Sequence, residues 1–188
     1  MRYLILLLPF ILAACQPLSS YPLDSPWYQP PAGSELVLNQ PIEIPPNAAT
    51  VRFQFGKIVS GPQDFEPNCV FELTTVRETP QRVEPQVFVV TRVRSGSSIY
   101  RASLPRPAGL MKAGLVFEGS PPPRYYYQTE MFLRSERQPN VLMMTCQHAW
   151  QSPPSRFEFQ RPPTVAEMRQ AMGEYFTLRL PGIEPGRI

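Results

Sequence analysis

Apolar and polar residues alternate with period two through most of the chain after Gly33, the spacing of half-buried strands. In "SELVLNQPIEI" Leu36, Leu38, Ile42 and Ile44 share one parity, and Pro41 marks an edge or a bend. "ATVRFQFGKIV" sends Val51, Phe53 and Phe55 one way and Arg52 and Gln54 the other. "NCVFELTTV" sets Cys69, Phe71 and Leu73 on one face with Glu72 opposite. "QVFVVTRVR" keeps Val87, Val89 and Val93 in phase, with Phe88 and Val90 opposite, so burial on both sides is expected near its start. "GLVFEG" is a short strand candidate, and "SGSS" at 95–98 reads as a turn. "RYYYQTEMFLRS" puts Tyr125, Tyr127, Met131 and Leu133 in one register, and "NVLMMTCQHAW" aligns Leu142, Met144, Cys146 and His148. About seven strands with turn signals between them predict a mainly β fold, an antiparallel β-sandwich or small barrel.

The period changes near the C-terminus. In "PPTVAEMRQAMGEYF" a capping box runs from Thr164 to Glu167, and Val165, Met168, Met172 and Phe176 fall on one helical face. One C-terminal helix is expected, lying on the sheet or over an edge. The last residues, "LPGIEPGRI", read as a frayed tail.

The longest apolar run lies at the other end. Arg2 precedes an uninterrupted run from Tyr3 to Ala14. As a helix this reaches only about 18 Å, short of the roughly 30 Å hydrocarbon layer. A basic start, a short apolar stretch and small residues at its end describe a signal peptide. Its last residues, Leu12-Ala13-Ala14-Cys15, resemble the lipobox of bacterial lipoproteins. That resemblance implies cleavage after Ala14, a thioether-linked diacylglycerol on Cys15 and an acyl chain on the new amino terminus. Two or three chains hold a protein stably on a membrane where one does not. Gln16, where lipoproteins retained at the inner membrane often carry Asp, favours the outer membrane by the same resemblance. "PNCVFEL", "MMTCQHAW" and "PPTVAEMRQAMGEYF" are also similar to stretches of uncharacterised proteobacterial outer-membrane lipoproteins, a likeness that brings no activity with it.

The expected organisation is therefore a cleaved leader over 1–14, a lipidated Pro-rich tether over 15–33, a β-domain over 34–160, and a helix with its tail over 161–188. The tether, "QPLSSYPLDSPWYQPPAG" after the cysteine, would span up to roughly 55 Å as polyproline II. With 25 prolines in 188 residues, long unbroken elements are disfavoured. Two cysteines remain after the anchor, and an even pair in an oxidising compartment predicts a Cys69–Cys146 disulfide. A formal net charge of +3 from scattered arginines gives no nucleic-acid footprint.

Candidate chemistry is sparse. His148 is the only histidine, so the usual His-rich zinc site cannot be built within the chain, and no metal or non-covalent cofactor is expected. There is no nucleophile elbow, P-loop or dinucleotide fingerprint. Glu72 and Glu130 sit mid-strand and, with His148, are the groups a glycan or peptide hydrolase would use. Trp27, Tyr28, Tyr126 and Trp150 are the aromatics an exposed binding platform would use. The reading is a non-catalytic lipoprotein on the periplasmic face of the outer membrane. It would be held by its lipid and bind or help assemble an envelope protein or glycan. The alternatives are an envelope hydrolase and a purely structural spacer.

Overall fold

The computed structural model describes residues 21–100, 124–150 and 160–183. The leader, Cys15 and the "GLVFEG" segment lie outside them. Strands form at Glu35–Leu38 (β1), Ile42–Ile44 (β2), Ala48–Gln54 (β3), Lys57–Ile58 (β4) and Asn68–Arg77 (β5). They continue at Gln81–Val83 (β6), Gln86–Tyr100 (β7), Arg124–Arg134 (β8) and Val141–Trp150 (β9), and helix α1 (Val165–Met172) precedes β10 (Phe176–Arg179).

The mainly β, antiparallel class with one C-terminal helix is as expected. Eight strands make one sheet in the order β10-β1-β7-β8-β9-β5-β3-β4, and β2 pairs with β6 as a separate ribbon. Helix α1 touches β3, β5 and β10, elements from both ends of that order, so the sheet curls around it as a half-barrel. The helix thus fills the place that a second sheet takes in a sandwich. Phe53, Phe71, Phe88, Met131 and Met144 from the sheet, with Met168 and Met172 from α1, are fully buried on the concave side.

Two β-bulges explain where side chains leave the simple alternation. In β7, Val90 faces Leu133 and Arg92 faces Phe132, so Thr91 is an extra residue. Phe88 and Val90 are therefore core residues, and Val93 returns to the core side after the bulge. Val87 and Val89, expected in phase with Val93, are instead exposed on the convex face. In β9 the register shifts opposite Glu72 and Leu73, so Val141 rather than Leu142 enters the core. "SGSS" is not a turn: Ser95 to Ser98 pair with Thr129 to Tyr126 in mid-strand.

Local chemistry sets the ends of the elements. The segment read as one strand from Glu35 to Ile44 breaks at Asn39–Pro41 into β1 and β2. Thr164 Oγ1 accepts from Glu167 N at 3.2 Å, and Glu167 Oε2 accepts from Thr164 N at 2.7 Å, the capping box as read. The helix stops at Gly173 (φ 56°), so Phe176 reaches the core from β10 and not from the helix. The β3–β4 turn has positive φ at both Phe55 and Gly56, the type I′ geometry. This turn meets the helix end so closely that a Cβ on Gly173 would lie 2.3 Å from Gly56 Cα. Gly56 N donates to Ala171 O at 3.0 Å.

Cys69 and Cys146, directly paired across β5 and β9, form a disulfide with S–S 2.04 Å. Both lie on the concave face and are fully buried. From Tyr21 the Pro-rich stretch is folded in turns against the domain: Leu23 and Tyr28 pack on the core, and Gly33 N donates to Val90 O.

Candidate functional site

The convex face carries the alternate residues of the same strands, mostly polar ones with Val70, Val87, Val89 and Phe132 among them. Following the registers across the sheet, Ser98, Tyr126 and Ala149 form one row, and Gly96, Gln128, Gln147 and Asn68 the next. Arg94, Glu130, Thr145, Val70 and Arg52 follow.

Two buried amides build the main feature. Gln54 bonds Gln63 through both ends of its amide, and Asn68 Nδ2 donates to Glu66 O at 3.1 Å. These bonds pin the segment after β4 over the outer face. Once pinned, its Asp64 carbonyl accepts from Ala149 N at 2.6 Å, and its carboxylate accepts from Arg124 Nη1 at 2.6 Å. Arg52 Nη1 donates to Asn68 Oδ1 at 2.7 Å. The result is an open groove of about 510 Å³ lined by Arg52, Asp64, Ser98, Arg124, Tyr126 and Gln147.

Tyr126 lines this groove beside Arg124 and Asp64. Burial, reinforced by the nearby Asp64 charge and partly offset by Arg124, raises its phenol pKa. The Arg124 guanidinium, paired with Asp64, also lies 5.8 Å from the centre of the Phe65 ring. The side chains are thus ordered before a ligand arrives, which lowers the entropic cost of binding. They offer guanidinium and amide donors, carboxylate and hydroxyl acceptors and an aromatic ring, a set suited to a polar, hydroxyl-bearing or anionic partner.

The concave face ends in a different polar cluster. His148 Nε2 lies 2.7 Å from Arg161 O, and Arg161 forms a two-pronged ion pair with Glu167, both contacts 2.7 Å. Burial lowers the His148 pKa, so the ring is neutral at pH 7 and Nε2–H is the donor to the carbonyl. Tyr127 stands across from it with ring centroids 6.4 Å apart. The cluster ties the chain entering α1 to the end of β9.

The residues singled out in the sequence do not converge on one place. Tyr126 lies in the convex groove. Trp150, opposite Tyr125, takes the other parity of β9 and so belongs to the concave side. Tyr28 packs on the core, its phenol raised by burial against the opposing charge of Arg169, while Trp27 beside it is exposed. Glu72 and Glu130 share the convex face, but β9 separates their strands and their Cα atoms are about 12 Å apart at ordinary strand spacing. Glu130 is held by Arg94 at 2.8 Å and Gln128 at 3.0 Å. His148 is on the opposite face from both, so the three form no common pocket. Among the described residues no group of three or more His, Cys, Asp or Glu could hold a metal ion.

Arg52, Asp64, Arg124 and Gln147 were missed as site residues. Arg124 and Asp64 are 60 positions apart in sequence, and only the pinned segment brings them together. No local motif announces such a meeting. The chain matches no protein-family model, no curated protein and no solved structure.

Proposed function

We propose that this chain is an outer-membrane lipoprotein facing the periplasm, held by acyl chains on Cys15, whose β-domain binds or helps assemble another envelope component without catalysing a reaction. The observation that carries the binding half is the Arg124–Asp64 ion pair, at 2.6 Å, standing with Tyr126 in the lining of an open groove. A solvated face with no duty gains little from burying Gln54 and Asn68 to fix a loop over it, whereas a recognition surface gains a fixed shape. The addressing half rests on the lipobox-like Leu12-Ala13-Ala14-Cys15. Polar and hydroxyl-bearing partners, an envelope glycan or a protein, suit the lining.

Two measurements test this reading separately. Mass spectrometry of the natural product is expected to show an acylated N-terminal Cys15, and an intact leader or a bare thiol would overturn the address. A photoreactive side chain placed at Tyr126 in living cells is expected to give a discrete adduct that Arg124→Gln weakens. Absence of any adduct from a correctly folded, correctly located protein would overturn the binding role.

A further inference from the structure

Strand β7 is paired on both sides only over its first part. β1 covers Gln86 to Val89, and the turn before it takes up Val90, whose C=O accepts from Gly33 N and whose N–H donates to Ser34 O, both at 2.8 Å. Beyond the Thr91 bulge β7 runs on to Tyr100 with β8 on one side, and no backbone bond from any other described residue meets its outer edge. Val90 shows that residues whose side chains face the concave side turn their N–H and C=O outward. Val93, Ser95, Ser97 and Ile99 continue that set. Their outward groups, unbonded to any described residue, line an edge of about 30 Å from Arg92 to Tyr100.

Edges of this length are normally blunted by proline, lysine or an inward charge. Here, in a chain with 25 prolines, none falls between Gln86 and Leu104, and Ser95 to Ile99 carry no charge. Ser97, Ser98 and Ile99 are exposed, and a Cβ added at Gly96 would meet nothing within 4 Å. On the convex side the edge is flanked by Arg92 and Arg94, both exposed. Arg92 stacks 4.0 Å above the Phe132 ring, and no carboxylate of a described residue lies within ion-pair distance of it.

We infer that the outer edge of β7 from Arg92 to Tyr100 docks an extended strand of a partner protein, one that alternates acidic residues with small or β-branched apolar ones. Backbone bonds to the outward groups supply affinity, as in other strand-addition complexes. The acidic side chains fall opposite Arg92 and Arg94, and the apolar ones opposite Ser95, Ser97 and Ile99. Opposite charges on facing strands attract and like charges repel. A second copy of this chain would add its own arginines to the same face, and its net charge of +3 opposes the approach. This inference goes beyond the groove at Tyr126 and depends on neither that groove nor the lipid anchor.

The test uses the full-length protein in detergent and a blocked, fluorescein-labelled peptide of alternating Glu and Val, about nine residues long, read by anisotropy. The Glu peptide is expected to bind, and a Lys-for-Glu version to bind at least about tenfold more weakly. N-methylation of alternate peptide residues, and separately Ser97→Pro, are each expected to weaken binding about tenfold by removing an edge hydrogen bond. Arg92→Glu should reverse the preference towards the Lys peptide. Equal binding of the two peptides, or indifference to N-methylation, overturns the proposal without any change to the protein. Self-association abolished by Ser97→Pro would assign the edge to a second copy and equally overturn it. Acylation of Cys15 and crosslinking from Tyr126 report the earlier reading and are untouched by either result.

Discussion

The two faces of the eight-stranded sheet are drawn from alternate residues of the same strands, yet they are organised on different principles. The concave face holds the core: Phe53, Phe71, Phe88 and Met144 are fully buried there, with the disulfide among them. The convex face is more polar and open, with Arg52, Arg94 and Arg124 fixed by hydrogen bonds to Asn68, Glu130 and Asp64. Each strand therefore supplies stability through one parity and a patterned surface through the other. The cost of a substitution should depend on parity more than on residue type.

Two phenylalanines give the sharpest test. Phe71 is fully buried on the concave side, with ring contacts to Phe88 at 5.7 Å and Phe176 at 5.3 Å. Phe71→Ala should cost about 3–5 kcal/mol, the lost burial plus the cavity left behind. Phe132 is half-buried on the convex side under Arg92 and Arg94, and its truncation should cost about 1 kcal/mol, mainly through the lost stacking. Chemical denaturation of both variants checks the pair. Equal costs would break the division between the faces.

The disulfide sharpens the concave side further. Closing 77 residues of chain restricts the unfolded state by roughly 4 kcal/mol on the loop-entropy model, less any native strain. Since both sulfurs are buried, they also pack. A Cys69→Ala/Cys146→Ala double variant should lose about 2–4 kcal/mol in a denaturant series while keeping the same far-UV spectrum. A loss near zero would mean that the core holds these strands together unaided.

Much of this division was legible in the sequence. Leu36, Phe53, Phe71, Met131 and Met144 follow from period-two alternation, and the capping box at Thr164 from four adjacent residues. The failures share one cause, that alternation is read locally while register is set by neighbours. Thr91 and Leu142 each insert one residue opposite a partner strand, and every side chain beyond such a point changes face. Val87 and Val89 were misplaced for this reason. Gly96 and its serine neighbours resembled a turn because composition does not show that β8 lies alongside. Phe176 fitted the helical face by spacing, but Gly173, forced into close contact with Gly56, ends the helix before it. In the groove, Tyr126 was legible from parity alone, whereas Asp64 and Arg124 needed the loop that Gln54 and Asn68 hold down.

Acid should act on stability through the cluster at the concave end. Burial alone would raise the Glu167 carboxyl, but the bonds from Arg161 and Thr164 outweigh it and hold the pKa at about 2. The unfolded value is near 4.5, so this contribution is whole above pH 4.5 and is lost as the pH falls towards 2. With the carboxylate 26 % exposed, it amounts to about 1–2 kcal/mol after allowing for solvent screening. The His148 pKa is lowered by burial, so its contribution is also full at higher pH and declines as the pH drops below 6.5. The midpoint of thermal unfolding should therefore be level above about pH 7 and fall in two phases below it. Glu167→Gln should remove the more acidic phase. As the chain's only histidine, His148 gives one assignable ring resonance, and titration of that resonance above 6.5 would contradict the first phase.

The smallest effect bears most directly on what the convex face is for. Arg94 is 59 % exposed in its ion pair with Glu130 at 2.8 Å, and pairs of that kind contribute about 0–1 kcal/mol because water and salt screen them. Arg94→Ala should shift the denaturation midpoint barely beyond error, and added salt should erase even that. Such indifference is what a binding surface requires, since a guanidinium the fold does not depend on is free to exchange its carboxylate for a partner's. A loss comparable to that of Phe71→Ala would place Arg94 among the residues that hold the sheet together. The outer edge of β7 would then lose one of the two cations assigned to recognition, and parity would no longer separate stability from function.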